Sequence, residues 1–598
     1  MSGRIIRREL LRALVLGALL STSYMGVGAA ADYPITGDTI SGNHDLQEQY
    51  NLFNLDGNQK VTATSDVTVV SSGTEIENKA AIIDGRNNSG SSLDLNMDGH
   101  SLSIESYPYT FYMTSSNHKI DVHDADTISV KAIGRPIMYM PVGSGNEINL
   151  QANKDILLTQ VKDDFDSPSM SVKGDNTLSL KAGNDIVLHN DVKSNILTVS
   201  NKADLQIEAG HDVVFNRVSA EPYIPNLYVE RNANATVNAG NDIIFNRVKN
   251  ATPIGLRTNA TVNLKAKGNI IFHEEQASNP VAINMESDAD FQMEAQTISG
   301  NMQRMTMVAG GSNFNLKADD LQWGAPVGQS VEAVAPKNDP MLTSMISAGR
   351  SSTVKLDLGN SAKLANEITG TLLYTNFGSL TMNAGDSIYL HNTGYKSDDK
   401  FQSLIRLQGG TIDLTAGEGI LLDNKGAIAV LSEYYGEVNF NGKTAINGAG
   451  IGAFAPGGGI INFNGNTVMS QVGTGASASE SGTINFNGNT VMSQVDIGAL
   501  TETDSDPWAE ELTKINFEDD VVIDQAETGV SASYNSDIVF NKGLSIDAKD
   551  NAFYTESAGR IQALATGEDK VIKGNMQALN GQIDVLLDTE KSSFTGAT

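Results

Sequence analysis

A short segment of this chain carries a candidate nucleophile. Residues 385–387 read Gly-Asp-Ser, which imitates the start of the motif around the reactive serine of some secreted hydrolases. A serine acts as a nucleophile only beside a positioned base. Two related segments read Gly-Asn-Asp at 183–185 and Gly-His-Asp at 210–212. We therefore interpret 385–387 as a turn that belongs to a repeat, and we predict no catalytic residue there.

Three histidines are candidate bases or metal ligands, because a neutral imidazole can serve in either role. His189, His273 and His391 occupy the same position of related segments. In other segments this position holds a different polar residue: Asn216, Asn246 and Asp423. Because Asn216 and Asn246 come between the first two histidines, these are not neighbours in the repeat. We predict a solvated strand end and no metal site.

Paired carboxylates are candidate calcium ligands, since Ca²⁺ binds oxygen atoms. Four pairs occur in the chain: Asp163-Asp164, Asp319-Asp320, Asp398-Asp399 and Asp519-Asp520. None lies in the glycine-rich nonapeptide that stacks calcium between coils, and none has the spacing of an EF-hand. We interpret them as charged turns in contact with water.

Several aromatic residues are candidates for stacking against sugars, because their rings combine an apolar face with a polar edge. They are Trp323, Trp508 and the pair Tyr434-Tyr435. We favour loop aromatics packed against the body of the protein and keep a carbohydrate platform as the alternative. Altogether the residues predict no catalytic, cofactor-binding or metal-binding site, and no cofactor.

A repeat determines how all these residues are positioned. The twelve letters INFNGNTVMSQV occur at 461–472 and again at 484–495, which is a spacing of 23 residues. A period of this length, rich in β-branched residues, Asn and Gly, is typical of β-structure coiled along one axis. Further units share a second frame in which two short strands flank a polar turn: 178–190, 205–217, 235–247, 262–274, 380–392 and 412–424.

The repeat predicts columns of identical side chains along the axis. Alternating apolar residues mark one buried face of each strand. One predicted column consists of phenylalanines at 440, 463, 486, 517 and 540. A parallel column of asparagines accompanies it, and stacked amides can form hydrogen bonds from one coil to the next.

The predicted fold is all-β, a parallel β-helix (β-solenoid) with about nineteen coils after residue 93 and a length on the order of 90 Å. The predicted segments are a signal peptide (1–31), a less regular N-terminal cap (32–92), a first β-helical stretch (93–323), a loop or seam (324–351) and a second β-helical stretch (352–598).

Charge and composition restrict the location and the partners. The net charge of −30 excludes nucleic acid as an expected partner, because phosphate binding needs a cationic face. Arginines at 4, 7 and 8 precede an apolar run at 13–20, and alanines at 29 and 31 complete the pattern of a secretory signal peptide. The chain contains no cysteine, so no disulfide stabilises it after export.

The signal peptide, the acidic composition and the Ala-Gly-Asn-Asp and INFNGN units resemble the passenger domains of autotransporters of diderm bacteria. The resemblance covers residues 93–598 and implies a right-handed parallel β-helix outside the cell with an outer-membrane translocator as a partner. The sequence departs from the family because no membrane barrel precedes Thr598. A barrel beyond the sequence, a barrel on another polypeptide and release of the protein all remain open. The units also look like those of filamentous-haemagglutinin exoproteins, although 32–90 show no match to their secretion domain.

These features predict a non-enzymatic adhesin or scaffold at the cell surface or in the medium. Its expected partners are glycans or proteins of host or neighbouring cells. Self-association is a further option. The alternative is a polysaccharide lyase or hydrolase on the same β-helix. The sequence leaves the ligand and the contacts of the loops at 324–351 and 496–513 open.

Overall fold

The chain forms a parallel β-solenoid, described here from a computed structural model. The structure describes residues 33–46, 51–71, 81–86, 88–141, 143–161, 167–218, 224–247, 252–274, 281–324, 344–366, 371–392, 402–502 and 512–597. The signal peptide predicted at 1–31 lies outside these residues. The described residues contain strands and turns and no helix.

Each coil contributes one strand to each of three parallel ladders, which we number in chain order. Fifteen strands lie in the first ladder alone: Ser92–Asn96, Lys119–Ala125, Glu147–Ala152, Thr177–Ala182, Asp204–Ala209, Asn234–Ala239, Thr261–Ala266, Thr353–Leu358, Glu437–Asn441, Ile460–Phe463, Thr483–Phe486, Thr513–Phe517, Ser536–Phe540, Arg560–Ala563 and Gln582–Val585. Fourteen lie in the second ladder alone: Leu102–Ser106, Ile128–Ala132, Ile156–Gln160, Ile186–Asn190, Val213–Arg217, Ile243–Arg247, Asn269–Glu274, Ala362–Asn366, Ser387–Asn392, Gly419–Asn424, Thr444–Asn447, Thr467–Ser470, Thr490–Ser493 and Ser593–Thr595.

Fifteen shorter strands form the third ladder alone: Phe53–Asn54, Ala81–Gly85, Tyr109–Met113, Met138–Met140, Met170–Lys173, Leu197–Ser200, Leu227–Glu230, Ile254–Arg257, Val281–Glu286, Arg304–Val308, Ile346–Ala348, Ile428–Glu433, Ile451–Ala455, Thr474–Ser479 and Ile497–Glu502. Nine long strands pass through a corner and belong to two ladders: Thr39–Leu46, Asn58–Ser71, Asp290–Gly300, Asn313–Trp323, Leu373–Ala384, Ser403–Ala416, Val521–Ser533, Leu544–Glu556 and Lys570–Leu579. The number of coils is close to the predicted number.

Three corners connect the ladders in every coil. The first corner joins the first ladder to the second, the second corner joins the second to the third, and the third corner leads to the next coil. Residues 325–343 of the predicted loop or seam lie outside the described residues. Ile346–Ala348, inside the same predicted segment, is a third-ladder strand that pairs with Arg304–Val308 and Leu373–Ala384.

The core consists of the columns that the repeat predicts. Phe440, Phe463, Phe486, Phe517 and Phe540 are buried, and the ring centroids of successive residues lie 4.9 Å apart. Burying one such side chain stabilises the fold by about 1.5–3 kcal/mol, and each ring pair adds about 0.5–1.5 kcal/mol. The predicted phenylalanine column is confirmed.

The predicted asparagine column is also confirmed, on the outer side of the same strands. The side-chain amide of Asn462 donates to Asn439 Oδ1, Asn485 donates to Asn462, and Asn516 donates to Asn485, each at 2.8 Å. Each amide therefore satisfies its neighbour in the next coil, as the spacing of the repeat requires.

Candidate functional site

The serine of the Gly-Asp-Ser segment lies at a first corner, where the turns of neighbouring coils stack closely. A Cβ atom at Gly385 would lie 2.0 Å from the carbonyl oxygen of Gly359, so only glycine fits there. Ser387 Oγ lies 3.1 Å from Ser361 Oγ in the preceding coil. The segment is thus placed as a stacked turn, as the sequence analysis interpreted it.

Aspartates line the same corner in four successive coils. The backbone N–H of Asp185 donates to Asp155 Oδ1 at 3.1 Å, and the N–H of Asp212 donates to Asp185 Oδ1 at 3.0 Å. The N–H groups of Asp242 and Asn269 continue the series in the next two coils. The Asp of each Gly-x-Asp turn therefore accepts a backbone hydrogen bond from the coil that follows, a role that the sequence analysis missed.

His211 joins this aspartate column. Its Nδ1 lies 3.0 Å from Asp185 Oδ1 and 3.2 Å from Asp212 Oδ2, so one nitrogen and two carboxylates converge within 4.8 Å. Burial raises the pKa of Asp242 one coil further, and the charge of Asp212 adds to this effect. Since Asp185 Oδ1 already accepts a backbone hydrogen bond, we interpret the group as a hydrogen-bonded cluster that supports the corner.

The three histidines predicted from the repeat do not converge. His189 and His273 are separated by Asn216 and Asn246 along the second ladder, which places them about 14 Å apart. His189 Nε2 lies 2.7 Å from Asp191 Oδ1. His391, much further along the rod, has its Nδ1 2.9 Å from Asp423 Oδ2. His189 and His391 are thus each bound to a nearby aspartate.

Two of the four acid pairs fall within the described residues and lie at first corners. Asp320 Oδ1 accepts the backbone N–H of Ser361 at 3.3 Å, and Asp520 Oδ1 accepts that of Gly543 at 3.0 Å. Their carboxylates thus connect coils as the aspartate column does. The other two pairs, Asp163-Asp164 and Asp398-Asp399, lie outside the described residues.

Trp323 does not belong to a carbohydrate platform, which corrects that alternative for this residue. Its side chain is 3% exposed and packs against Phe272, with ring centroids 5.5 Å apart. A Cβ atom at Gly300 would lie 2.6 Å from the indole, so Gly300 makes room for it. Trp508 lies outside the described residues.

Tyr434 and Tyr435 lie on an exposed aromatic edge of the solenoid. The third corners of three coils carry four exposed rings: Phe377 (57% exposed), then Tyr434 (59%) and Tyr435 (79%) together in one corner, and Tyr534 (43%). We call these four residues the aromatic edge. We consider these rings, which recur along one line, a candidate interaction surface. The repeat did not reveal Phe377 and Tyr534, because the sequence analysis identified no third-ladder strand in either coil.

The backbone of the aromatic edge is strained. Its four residues have φ angles between 50° and 60°, in the left-handed region that bulky side chains avoid. Two other coils place glycine at the same corner, at 409–410 and at 457–458, and two more place small or polar residues there, at 480–481 and at 557–558, all with positive φ. Glycine adopts this conformation without steric cost. Positive φ is thus common at the third corner, and what distinguishes the edge is a large exposed ring at such a position.

The intervening glycines also support the rings. A Cβ atom at Gly409 would lie 2.6 Å from Phe377 Cδ1, and one at Gly458 would lie 2.7 Å from Tyr435 Cδ1. Each ring thus lies over the glycine of the following coil while more than half of its surface stays exposed. Phe377 and Tyr435 are two coils apart, about 9.6 Å along the axis.

A row of polar side chains runs beside the edge. Asn376, Gln408 and Glu433 are partly exposed and pair with one another across three coils of the third ladder. Gln408 Oε1 accepts the hydroxyl of Tyr374 at 2.7 Å, and Glu433 accepts Arg406 Nε at 3.0 Å. Amide and carboxylate groups therefore lie next to the rings, and their orientation is fixed by neighbouring coils.

No protein-family model, no curated protein and no solved structure matches this chain. The described residues also contain no helix that is long and apolar enough to span a bilayer. The geometry of the aromatic edge is therefore the observation from which a function has to be inferred.

Proposed function

We propose that this chain is an exported β-solenoid of the autotransporter-passenger type, which acts as an adhesive scaffold and binds glycans along its aromatic edge. One observation carries the proposal: exposed rings at strained positions of one corner, spaced by whole coils. The stacked coils fix these spacings, so the edge offers a preorganised and extended surface.

The chemistry of the edge suits an extended polysaccharide that runs along the axis. Apolar C–H faces of pyranose rings pack against aromatic rings, and sugar hydroxyls pair with amides and carboxylates. Phe377 and Tyr435 lie about two sugar units apart, and the polar row lies beside them. Because the chain has a net charge of −30 and the row includes Glu433, a neutral glycan is favoured over an acidic one.

Binding to immobilised polysaccharides tests the glycan part of the proposal. We expect the purified chain to bind at least one neutral β-linked polysaccharide and to bind uronate-rich ones more weakly. The double variant Phe377→Ser, Tyr435→Ser should lose at least tenfold in affinity, because two stacking surfaces are removed. Val468→Ser, an exposed change on the second ladder, is the matched control and should bind like the wild type. Equal binding by the double variant and the wild type would rule out the edge as the site.

The same incubations separate an adhesin from an enzyme. A binding scaffold leaves the polysaccharide intact, whereas a hydrolase releases reducing ends and a lyase creates unsaturated ends. Cleavage by the wild type would replace the adhesin proposal with the enzymatic alternative.

Cell fractionation tests the export part. Expressed in a diderm host, the chain should lose residues 1–31 and reach the envelope or the medium, and N-terminal sequencing of this form should begin near Asp32. A variant without 1–31 should stay in the cytoplasm. An unprocessed wild-type chain in the cytoplasm would contradict export while leaving the glycan-binding test unaffected.

A further inference from the structure

A cavity of about 340 Å³ lies on the outer side of the third ladder, in coils that precede the aromatic edge. Gly255 lies at its base, and Tyr228 and Pro225 form one wall. Tyr228, Gly255 and Asn284 pair in register across three successive coils. The coils on both sides therefore carry a side chain where Gly255 has none, and this missing side chain leaves a gap in the outer face.

The backbone does not require glycine at this position. Gly255 lies inside the strand Ile254–Arg257, and its φ is outside the left-handed region. Glycine weakens a strand and often marks a place where a ligand or another backbone approaches closely. A Cβ atom here would lie 3.1 Å from Pro225 Cγ and 3.1 Å from Tyr228 Cδ2. The tyrosine ring thus lies over the glycine of the next coil, as rings of the aromatic edge do.

The polar groups around the cavity are oriented by one another. Tyr228 Oη donates to Glu230 Oε2 at 3.1 Å. Asn284 Nδ2 donates to Glu286 Oε1 at 3.1 Å, and Arg257 Nε lies 3.0 Å from Glu286 Oε2. Two carboxylates and one guanidinium group therefore lie at or beside the cavity, and this balance disfavours an anionic ligand.

Two amide oxygens of the cavity wall lack a hydrogen bond. Asn195 and Asn284 both line the cavity, and the Oδ1 atom of each is enclosed and has no partner among the described residues. An enclosed acceptor without a donor is unfavourable, so hydrogen-bond donors are expected beside both oxygens. A hydroxyl group is such a donor, whereas an ionised carboxylate only accepts.

The cavity and the aromatic edge lie on the same side of the rod. Asn284 pairs with Met307, Met307 pairs with Ser347, and Ser347 pairs with Tyr374. The hydroxyl of Tyr374 donates to Gln408 in the polar row beside the edge. These three steps amount to about 14 Å along the axis. A polysaccharide that lies on the edge can therefore reach the cavity along the third ladder.

We propose that this cavity binds one neutral pyranose unit, which, given the proposed glycan binding, belongs to the polysaccharide that lies along the aromatic edge. The apolar face of the sugar packs against Tyr228 and Pro225. Its hydroxyl groups supply the donors that Asn195 and Asn284 lack. A volume of about 340 Å³ is near the lower limit for ligand pockets and suits a single ring.

Saturation-transfer NMR with single sugars tests the cavity. The probes are glucose, galactose, mannose and N-acetylglucosamine, each added alone, with glucuronate as the anionic counterpart of glucose. We expect the wild-type chain to transfer saturation to at least one neutral sugar and not to glucuronate. Tyr228→Leu should weaken the affinity about fivefold, because the aromatic wall is removed. Tyr554→Leu is the matched control: Tyr554 donates to Glu556 two residues later, as Tyr228 does to Glu230, but it lies outside the cavity.

Crystals of the wild-type chain soaked in the sugar that binds provide a test that needs no variant. We expect density for one pyranose beside Tyr228. Absence of transfer to every neutral sugar, an equal loss of affinity in Tyr228→Leu and Tyr554→Leu, or an empty cavity in the soaked crystals would each overturn the proposal.

The cavity and the edge can fail separately. The double variant Phe377→Ser, Tyr435→Ser should bind the single sugar like the wild type, because the cavity is unchanged. A polysaccharide that binds through the edge while no single sugar binds would retain the proposed function and remove only the cavity. A single sugar that binds beside Tyr228 while no polysaccharide binds would have the opposite meaning.

Discussion

At the scale of single residues, the aromatic edge exposes large rings at positions where the backbone is strained. A non-glycine residue in the left-handed region costs roughly 1–2 kcal/mol. The edge carries this cost at four positions, whereas glycine occupies the equivalent corner in the coils that follow Phe377 and Tyr435. The fold therefore does not require a large ring at this corner.

We therefore predict that Tyr435→Gly weakens glycan binding and leaves the stability of the fold nearly unchanged. The substitution removes a ring that is mostly in water and relieves the left-handed strain, and both effects offset the roughly 0.5–1 kcal/mol entropic penalty of glycine. We expect the free energy of unfolding to change by less than about 1 kcal/mol in urea titrations. Affinity for the glycan bound by the wild type should fall several-fold.

Tyr228→Gly is the matched control for stability. Tyr228 is half-buried in the strand Leu227–Glu230 with ordinary backbone angles, so its replacement loses packing without relieving strain. It should destabilise by more than Tyr435→Gly does. If Tyr435→Gly instead destabilises as much, the edge tyrosine holds the corner together and its strain has no functional meaning.

The chemistry of single residues was only partly predictable from the sequence. The burial of Arg217 and Arg247 could have been predicted, because each lies two residues after a phenylalanine and so must point to the same side of the strand. The burial of Trp323 could not, since it depends on the space left by Gly300 in the preceding coil. No property of the sequence places those two residues in contact.

At the scale of elements, prediction succeeded for strands in which buried and exposed residues alternate and failed for strands without that alternation. First- and second-ladder strands alternate over four or more residues, and the identical units at 461–472 and 484–495 fixed their register. Third-ladder strands such as Leu197–Ser200 are buried at successive positions, so they lack alternation, and they follow corners of variable length. The sequence analysis therefore assigned two strands to each unit, whereas the structure has three, and it missed the corner that carries Phe377 and Tyr534.

The register of these strands makes the phenylalanine column an element whose contribution can be measured. Phe463→Ala removes a fully buried ring that stacks on Phe440 and Phe486. We expect a loss of about 3–5 kcal/mol in the free energy of unfolding, because the coils can relax only partly around the cavity. Val468→Ala, exposed on the following strand, should change it by less than about 0.5 kcal/mol.

Hydrogen exchange would show where the column matters. In a solenoid each coil contacts only its neighbours, so protection should fall first around 438–492 and remain near the wild-type level in distant coils. A uniform loss of protection along the whole rod would contradict this local energetics.

At the scale of the whole molecule, the stack should keep its register when a whole coil is deleted and lose it when only part of a coil is deleted. Deletion of residues 461–483 joins Ile460 to Ile484, and Ile460 then occupies the place of its ladder partner Thr483. Phe440 would stack on Phe486, and every later ladder would keep its register. We expect a soluble β-rich protein with a Tm close to that of the wild type by circular dichroism. Deletion of 461–472 alone removes a first-ladder and a second-ladder strand but leaves the third, so it should abolish cooperative unfolding.

The same deletion tests whether the rod sets the spacing of its binding surface. It lies between Tyr435 and Tyr534, which are four coils apart, and it brings them about 4.8 Å closer. The pair formed by Phe377 and Tyr435 is unchanged. If a long glycan contacts the whole edge, its affinity should fall while that of a short oligosaccharide stays constant, because only the long chain reaches both sides of the deletion. An equal loss for both ligands would mean that the deletion damages the fold, and no loss for either would confine binding to the part of the edge before residue 461.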